Sequence, residues 1–142
     1  ALVLAHFYPQ PQGAAGLVLQ RAAAAGVRLA AIDVSDGLCA DATRLAAASR
    51  VGMVLSLDAP AWRDAATELA RVAGTGVAQW VGAGGDDYAL VVTAPPGFDV
   101  AALLVGVAPV VRIGQCSVGP AGKVFATVDG EIVAGRGYFH GP

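Results

Sequence analysis

Hydrophobic and polar residues follow one another along the chain in blocks that predict helices and strands. Apolar positions at helical spacing, such as Leu17, Val18 and Ala22, indicate helices, whereas short apolar runs between turn-forming residues indicate strands. The predicted helices cover 13–25, 37–49, 60–73, a short segment around Trp80, and 99–106. The predicted strands cover 29–34, 51–57, 88–93, 110–118, 123–128 and 131–133, and an Asp129-Gly130 turn joins the last two as a hairpin.

The order of these elements predicts the fold class. Helices alternate with strands early in the chain, and a hairpin closes it. This order predicts an α/β (α+β sandwich) fold in which helices cover a mixed β-sheet. The chain has 142 residues, which is enough for one domain with its own core, so we predict a single domain over 1–142. In helix 60–73 we expect Arg63 and Asp64 to face outward and Leu69 and Val72 to face inward.

Composition excludes several classes of function. The chain is 56% hydrophobic and 14% charged, with a net charge of −2, and only one of its nine basic residues is Lys. Because Lys and Arg do not cluster, a nucleic-acid surface is not expected. No apolar run reaches the roughly 18–20 residues that span a bilayer. Cys39 and Cys116 lack the spacing of a disulfide framework or a zinc site. We therefore expect a cytoplasmic protein that binds neither nucleic acid nor membrane.

The segment Ile32-Asp33-Val34-Ser35-Asp36-Gly37 is the first candidate site. Asp33 follows an apolar run, so we expect it at the carboxyl end of a buried strand, the edge where ligands bind in open α/β sheets. Asp33 and Asp36 lie three residues apart in a turn and could converge on Mg²⁺, which prefers carboxylate, phosphate and water oxygens. The alternative is that Ser35 or Asp36 merely caps the next helix. Capping explains one of these residues but not Asp33 as well.

The segment from Gly82 to Tyr88 is the second candidate. Its three glycines in four positions, followed by Asp86 and Asp87, are typical of a loop that approaches a ligand closely. It lacks the Lys-Ser/Thr pair of a P-loop and the context of a dinucleotide fingerprint. On its residues alone, a flexible turn with solvated acids is favoured. For Asp41 we expect a solvated ion pair with Arg44, one helical turn further on.

Taken in order, these segments resemble the carboxyl-terminal half of bacterial thiamine-monophosphate kinases, which belong to the aminoimidazole-ribonucleotide-synthetase superfamily. The matching positions are Pro9-Gln10-Pro11, Ile32 to Leu38, Asp41, Gly84 to Leu90, Arg112-Ile113-Gly114 and Gly137-Tyr138. The chain departs from the family pattern at Asp86 and Ala89, where the family has Glu, and at Phe139, where it commonly has Asp. The resemblance implies the carboxyl-terminal fold of that superfamily.

The resemblance also implies a reaction, the ATP-dependent phosphorylation of thiamine monophosphate to thiamine diphosphate. It implies that Asp33 and Asp36 are Mg²⁺ ligands, that Ser35 contacts ATP, and that Asp86 and Tyr138 contact the thiamine substrate. No catalytic residue is assigned. This agrees with phosphoryl transfer as a reaction that depends chiefly on positioning and on neutralisation of charge by metal ions.

The resemblance further implies partners for the chain. In the family, an amino-terminal domain supplies more Mg²⁺-binding acids and the nucleotide cleft, and the full-length enzyme is a homodimer. Nothing in this sequence corresponds to that domain, so we expect one domain of a longer enzyme that is inactive in isolation. Two alternatives remain open: another ATP-using member of the superfamily with a different substrate, or a non-catalytic ligand-binding or regulatory domain of the same fold.

Overall fold

The computed structural model describes residues 9–58, 60–84 and 88–133. Its helices are α1 (Gly13–Ala24), α2 (Leu38–Ala48), α3 (Pro60–Ala73), α4 (Val77–Ala83) and α5 (Val100–Leu103). Its strands are β1 (Ala30–Asp33), β2 (Gly52–Ser56), β3 (Leu90–Thr93), β4 (Gly114–Ser117), β5 (Val124–Val128) and β6 (Glu131–Ile132). This is the predicted order of elements. Within the described ranges, no helix combines the length and apolar character required to cross a bilayer.

The described strands form two sheets rather than one. The larger has the order β4-β2-β5-β6, in which β2 runs parallel to β5 and antiparallel to β4, while β5 and β6 are antiparallel. The smaller is an antiparallel pair of β1 and β3. The mixed sheet with helices is confirmed. The strand that carries Asp33, however, lies outside the mixed sheet, so the expectation drawn from open parallel sheets does not apply to it.

Helix α2 contacts strands of both sheets and connects their cores. Its buried residues Ala42, Leu45 and Ala46 belong to one apolar cluster with residues of β2, β3 and β5. A smaller cluster, built around Leu19 of α1 and Leu104, covers the other side of the β1–β3 pair. Helix α2 therefore packs on the strands of both sheets, and the turn between β1 and α2 is attached to the core at both ends.

Helix α3 begins at Pro60 as predicted but buries a different face. Ala66 and Ala70 are buried, whereas Leu69 is 37% exposed and Val72 is 71% exposed. The expectation that Leu69 and Val72 face inward is wrong. The small side chains of the two alanines permit close packing of α3, which contacts α4. Burial of this alanine face turns the larger apolar residues of α3 toward solvent.

Polar side chains join the carboxyl ends of the parallel strands β2 and β5. Asp129 and Gly130 both have positive φ (52° and 78°), as the predicted two-residue hairpin requires. The Asp129 backbone N–H donates to Asp58 Oδ1 at 2.7 Å, and Ser56 Oγ donates to Asp58 Oδ2 at 2.7 Å. Arg63 of α3 donates to both carboxylate oxygens of Asp129. These bonds fix the hairpin turn against the end of β2.

We expect Asp58 to make folding sensitive to acid. The hydrogen bond from the Asp129 N–H, and then that from Ser56, lower the pKa of Asp58 below its ordinary value. Because the folded pKa is depressed, its stabilisation is present above the unfolded pKa of about 4 and is lost as pH falls through the folded value. Urea unfolding between pH 2 and 7 should show a shallower acid decline in the free energy of unfolding for Asp58→Asn than for the parent chain. Glu131→Gln, at an exposed acid of β6, is the control, and an equally shallow decline there would contradict the assignment.

Candidate functional site

The two candidate segments are neighbours in the structure. Antiparallel pairing continues past the end of β1, because the Val34 N–H donates to Ala89 O at 2.8 Å and the Tyr88 N–H donates to Val34 O at 3.0 Å. In register, Asp33 lies opposite Leu90. The turn 33–37 and the end of the glycine-rich segment therefore lie side by side, which neither motif indicates by itself.

Asp33 is the last residue of β1 and is exposed. The strand alternates, with Ala30 and Ile32 half-buried toward the main core and Ala31 and Asp33 exposed on the opposite face. The predicted buried strand is thus half-buried. Asp33 lines a cleft of about 450 Å³ between α1 and β1, together with Gln20 and Leu90. Its carboxylate is therefore accessible from solvent.

Helix α2 is not capped by the side chain of Ser35 or Asp36. Its N-cap is Gly37, at φ 117° and ψ 146°, and no side chain accepts a capping hydrogen bond there. Only glycine adopts this conformation without strain. The capping interpretation of Ser35 and Asp36 is therefore wrong, and these side chains are not required to begin the helix.

Asp41, in the first turn of α2, holds the turn from the inside. Its side chain is 1% exposed, and its Oδ2 accepts the backbone N–H groups of Ser35 and Asp36, each at 3.0 Å. Its Oδ1 accepts a hydrogen bond from Arg44 Nη1. The predicted pair with Arg44 is confirmed, but the expectation that it is solvated is wrong for Asp41. The sequence carried a signal for this burial, because Asp41 is three residues after Leu38 and four before Leu45 on the apolar face.

Arg44 bridges two carboxylates of this segment. Its Nη2 lies 2.5 Å from Asp36 Oδ2, while its Nη1 bonds to Asp41. The Arg44 side chain is 50% exposed and that of Asp36 is 15% exposed. The hydrogen bond with Asp36, and then that with Asp41, raise the pKa of the Arg44 guanidinium above its ordinary value. Asp36 is thus already bonded to a cationic side chain. Asp33 instead lines the cleft between α1 and β1.

This segment carries an excess of negative charge. Asp33, Asp36 and Asp41 supply three carboxylates, and Arg44 balances one of them. In the described part of the chain, no group of three or more His, Cys, Asp or Glu side chains could hold a metal ion by itself. Mg²⁺ is usually held by only one or two carboxylates, with waters and substrate phosphates as its other ligands. Asp33 and Asp36 carry the oxygen donors that such a site needs; Asp36 is bonded to Arg44, and Asp33 lines the cleft beside α1.

Two of the predicted site residues, Asp86 and Tyr138, lie outside the described residues. Tyr88, the first described residue after Gly84 in the glycine-rich segment, has a positive φ of 52° and is 39% exposed. Another cleft, of about 470 Å³, lies on the four-stranded sheet and is lined in part by Asp58, Arg112 and Thr127. It shares no residue with the turn 33–37, although Arg112 belongs to one of the matched motifs.

The curated proteins that are similar to this chain share one name, and the similarity covers only part of their length. No family model matches the chain. The chain is 48% identical over 87 residues to thiamine-monophosphate kinase of Mycobacterium tuberculosis, covering 61% of this chain and 25% of that protein. It is 36% identical over 117 residues to thiamine-monophosphate kinase of Rhodopirellula baltica, covering 79% of this chain and 36% of that protein. The chain therefore spans about a quarter of the first curated relatives it matches.

Solved structures show the same likeness in three dimensions. The crystal structure of thiamine-monophosphate kinase from Stenotrophomonas maltophilia K279a superposes with a TM-score of 0.67 at 33% identity, over 92% of this chain and 39% of that one. A structure of AaThiL complexed with AMPPCP and TMP superposes with a TM-score of 0.56 at 26% identity, over 78% and 33% of the two chains. The chain has the α/β fold of one part of a kinase. Its named homologues are thiamine-monophosphate kinases.

Proposed function

We propose that this chain is the carboxyl-terminal domain of an ATP-dependent kinase that phosphorylates thiamine monophosphate to thiamine diphosphate. The observation that carries the proposal is the backbone pairing of Val34 with Tyr88 and Ala89, which joins two segments resembling kinase motifs. The homology to thiamine-monophosphate kinases supports the reaction. The AaThiL structure with AMPPCP, an ATP analogue, and TMP supports the two substrates.

In this proposal the turn 33–37 holds the nucleotide through Mg²⁺. Asp33 and Asp36 are the Mg²⁺ ligands, and Ser35 contacts ATP. When bound, Mg²⁺ neutralises charge on the phosphate groups, which is its main contribution to phosphoryl transfer. Asp41 keeps the backbone of Ser35 and Asp36 in place through two hydrogen bonds and leaves both of their side chains uncommitted to capping.

The remaining assignments concern the substrate and the other parts of the enzyme. We assign Asp86 and Tyr138 to the thiamine substrate, and the position of Tyr88 beside Val34 places the end of the glycine-rich segment next to the turn. An amino-terminal domain of the same protein supplies further Mg²⁺-binding acids. The complete enzyme is a cytoplasmic homodimer.

The isolated 142-residue chain is expected to form no thiamine diphosphate. Asp33 and Asp36 give Mg²⁺ about two of its roughly six oxygen ligands, and the only lysine, Lys123, immediately precedes β5, far from the turn in sequence. The test is to incubate the chain with ATP, Mg²⁺ and thiamine monophosphate, and to measure thiamine diphosphate by chromatography.

The same assay is repeated with two further samples. One is the chain mixed with the amino-terminal domain of a homologous thiamine-monophosphate kinase, and the other is this chain fused to that domain. Product in the fused or mixed sample alone supports the proposal. Robust product from the isolated chain, or a fused enzyme that phosphorylates other substrates but not thiamine monophosphate, contradicts it.

A further inference from the structure

One cation already occupies the proposed metal-binding carboxylate. Arg44 Nη2 lies 2.5 Å from Asp36 Oδ2, and the same guanidinium is anchored on the buried Asp41 through Nη1. The backbone N–H of Asp36 is in turn held by Asp41 Oδ2. Asp36 is therefore fixed at its main chain by Asp41 and at its carboxylate by Arg44.

We propose that Arg44 is a built-in counter-cation for Asp36, with which the divalent ion competes for that carboxylate. The inference rests on the metal assignment of the proposed function. Arg44 is half exposed, so it can leave Asp36 for solvent while Nη1 stays on Asp41. Arg44 acts on the metal ion through Asp36, so it is a positioning residue. It sets the concentration of divalent ion that the site requires.

Competition between Arg44 and the divalent ion predicts the direction in which removal of Arg44 changes the metal affinity. A positive charge bonded to a ligand repels an incoming divalent ion and also occupies the ligand's oxygen, and two charges about 5 Å apart interact appreciably even in water. Removing the guanidinium should therefore tighten binding of the bare ion by about tenfold. A residue that only stabilised the turn would have the opposite effect, because its loss would loosen the site.

The experiment titrates the chain with Mn²⁺, a paramagnetic substitute for Mg²⁺, and follows broadening of the Ser35 and Asp36 amide signals by NMR, with reversal by excess Mg²⁺. Arg44→Met keeps the length of the aliphatic side chain and removes the charge. Arg44→Lys keeps the charge and should remain near the parent affinity. Arg63→Met is the matched control, because Arg63 is also an exposed partner of a carboxylate, that of Asp129.

Tighter Mn²⁺ binding in Arg44→Met, with little change in Arg44→Lys and Arg63→Met, supports the inference. Unchanged or weaker binding in Arg44→Met, or equal tightening in any two of the three variants, overturns it while leaving the metal assignment in place. Absence of selective broadening at Ser35 and Asp36 in the parent chain and in every variant removes the metal assignment itself, and the inference with it.

Discussion

Under the proposed function, replacing Asp33 by Asn in the complete protein is expected to lower turnover by about 10²–10³, a typical cost of removing one charge partner of the transition state. The carboxylate lies at the exposed end of β1, and no hydrogen bond or ion pair to another described residue holds it. The substitution should therefore leave the free energy of unfolding within about 0.5 kcal/mol of the parent value. The measurement is the rate of thiamine diphosphate formation over a Mg²⁺ titration, beside urea unfolding of the same samples.

The control for this prediction is Glu131→Gln, which neutralises an exposed acid in β6, a strand of the other sheet. It should leave the Mg²⁺ dependence of the rate unchanged. Parent-like turnover of Asp33→Asn at limiting Mg²⁺ would remove Asp33 from the metal site. A large loss of stability in Asp33→Asn would instead assign the residue a structural role.

The elements were predictable because their signals are local. Helix α3 runs from Pro60 to Ala73 as expected, and the Asp129-Gly130 turn joins β5 to β6. Strand pairing was not predictable, since it depends on contacts between distant residues. The short apolar run of β1 fits a strand in the mixed sheet as well as one paired with β3, and only the tertiary fold selects the second. The same limit explains α3, where packing buries Ala66 and Ala70 instead of Leu69 and Val72.

The candidate site was predictable in part. The residue types and spacing of the turn 33–37 predict a ligand site, which stays a prediction, and the fold removes the capping alternative for Ser35 and Asp36. The sequence did not indicate the role of Asp41, because the groups that donate hydrogen bonds to its Oδ2 are backbone N–H groups, which every sequence supplies. Only the bend at Ser35 and Asp36, just before helix α2 begins, brings those groups to the Asp41 carboxylate. Its position on the apolar face of α2 was the one available sign of burial.

Replacing Asp41 by Ala is expected to lower the free energy of unfolding by about 3 kcal/mol. The side chain is 1% exposed, and its removal leaves the partly buried N–H groups of Ser35 and Asp36 without their acceptor. Hydrogen bonds to a charged acceptor contribute about 1.5–3 kcal/mol each, and loss of one member of a buried network leaves its partners unsatisfied. Urea unfolding followed by tryptophan fluorescence measures the loss.

Asp41→Asn separates shape from charge, because the amide oxygen can still accept from the backbone while the amide NH₂ faces the Arg44 donor. We expect it to lose about half as much as Asp41→Ala. Asp64→Ala, at an exposed acid of α3, should change the free energy of unfolding by no more than about 0.5 kcal/mol. Amide hydrogen exchange at Ser35 and Asp36 should accelerate in Asp41→Ala more than exchange in β2, since these two N–H groups lose their acceptor directly. A loss below 1 kcal/mol, or protection of Ser35 and Asp36 equal to that of the parent chain, would show that the turn is held by some other contact and that Asp41 does not organise the site.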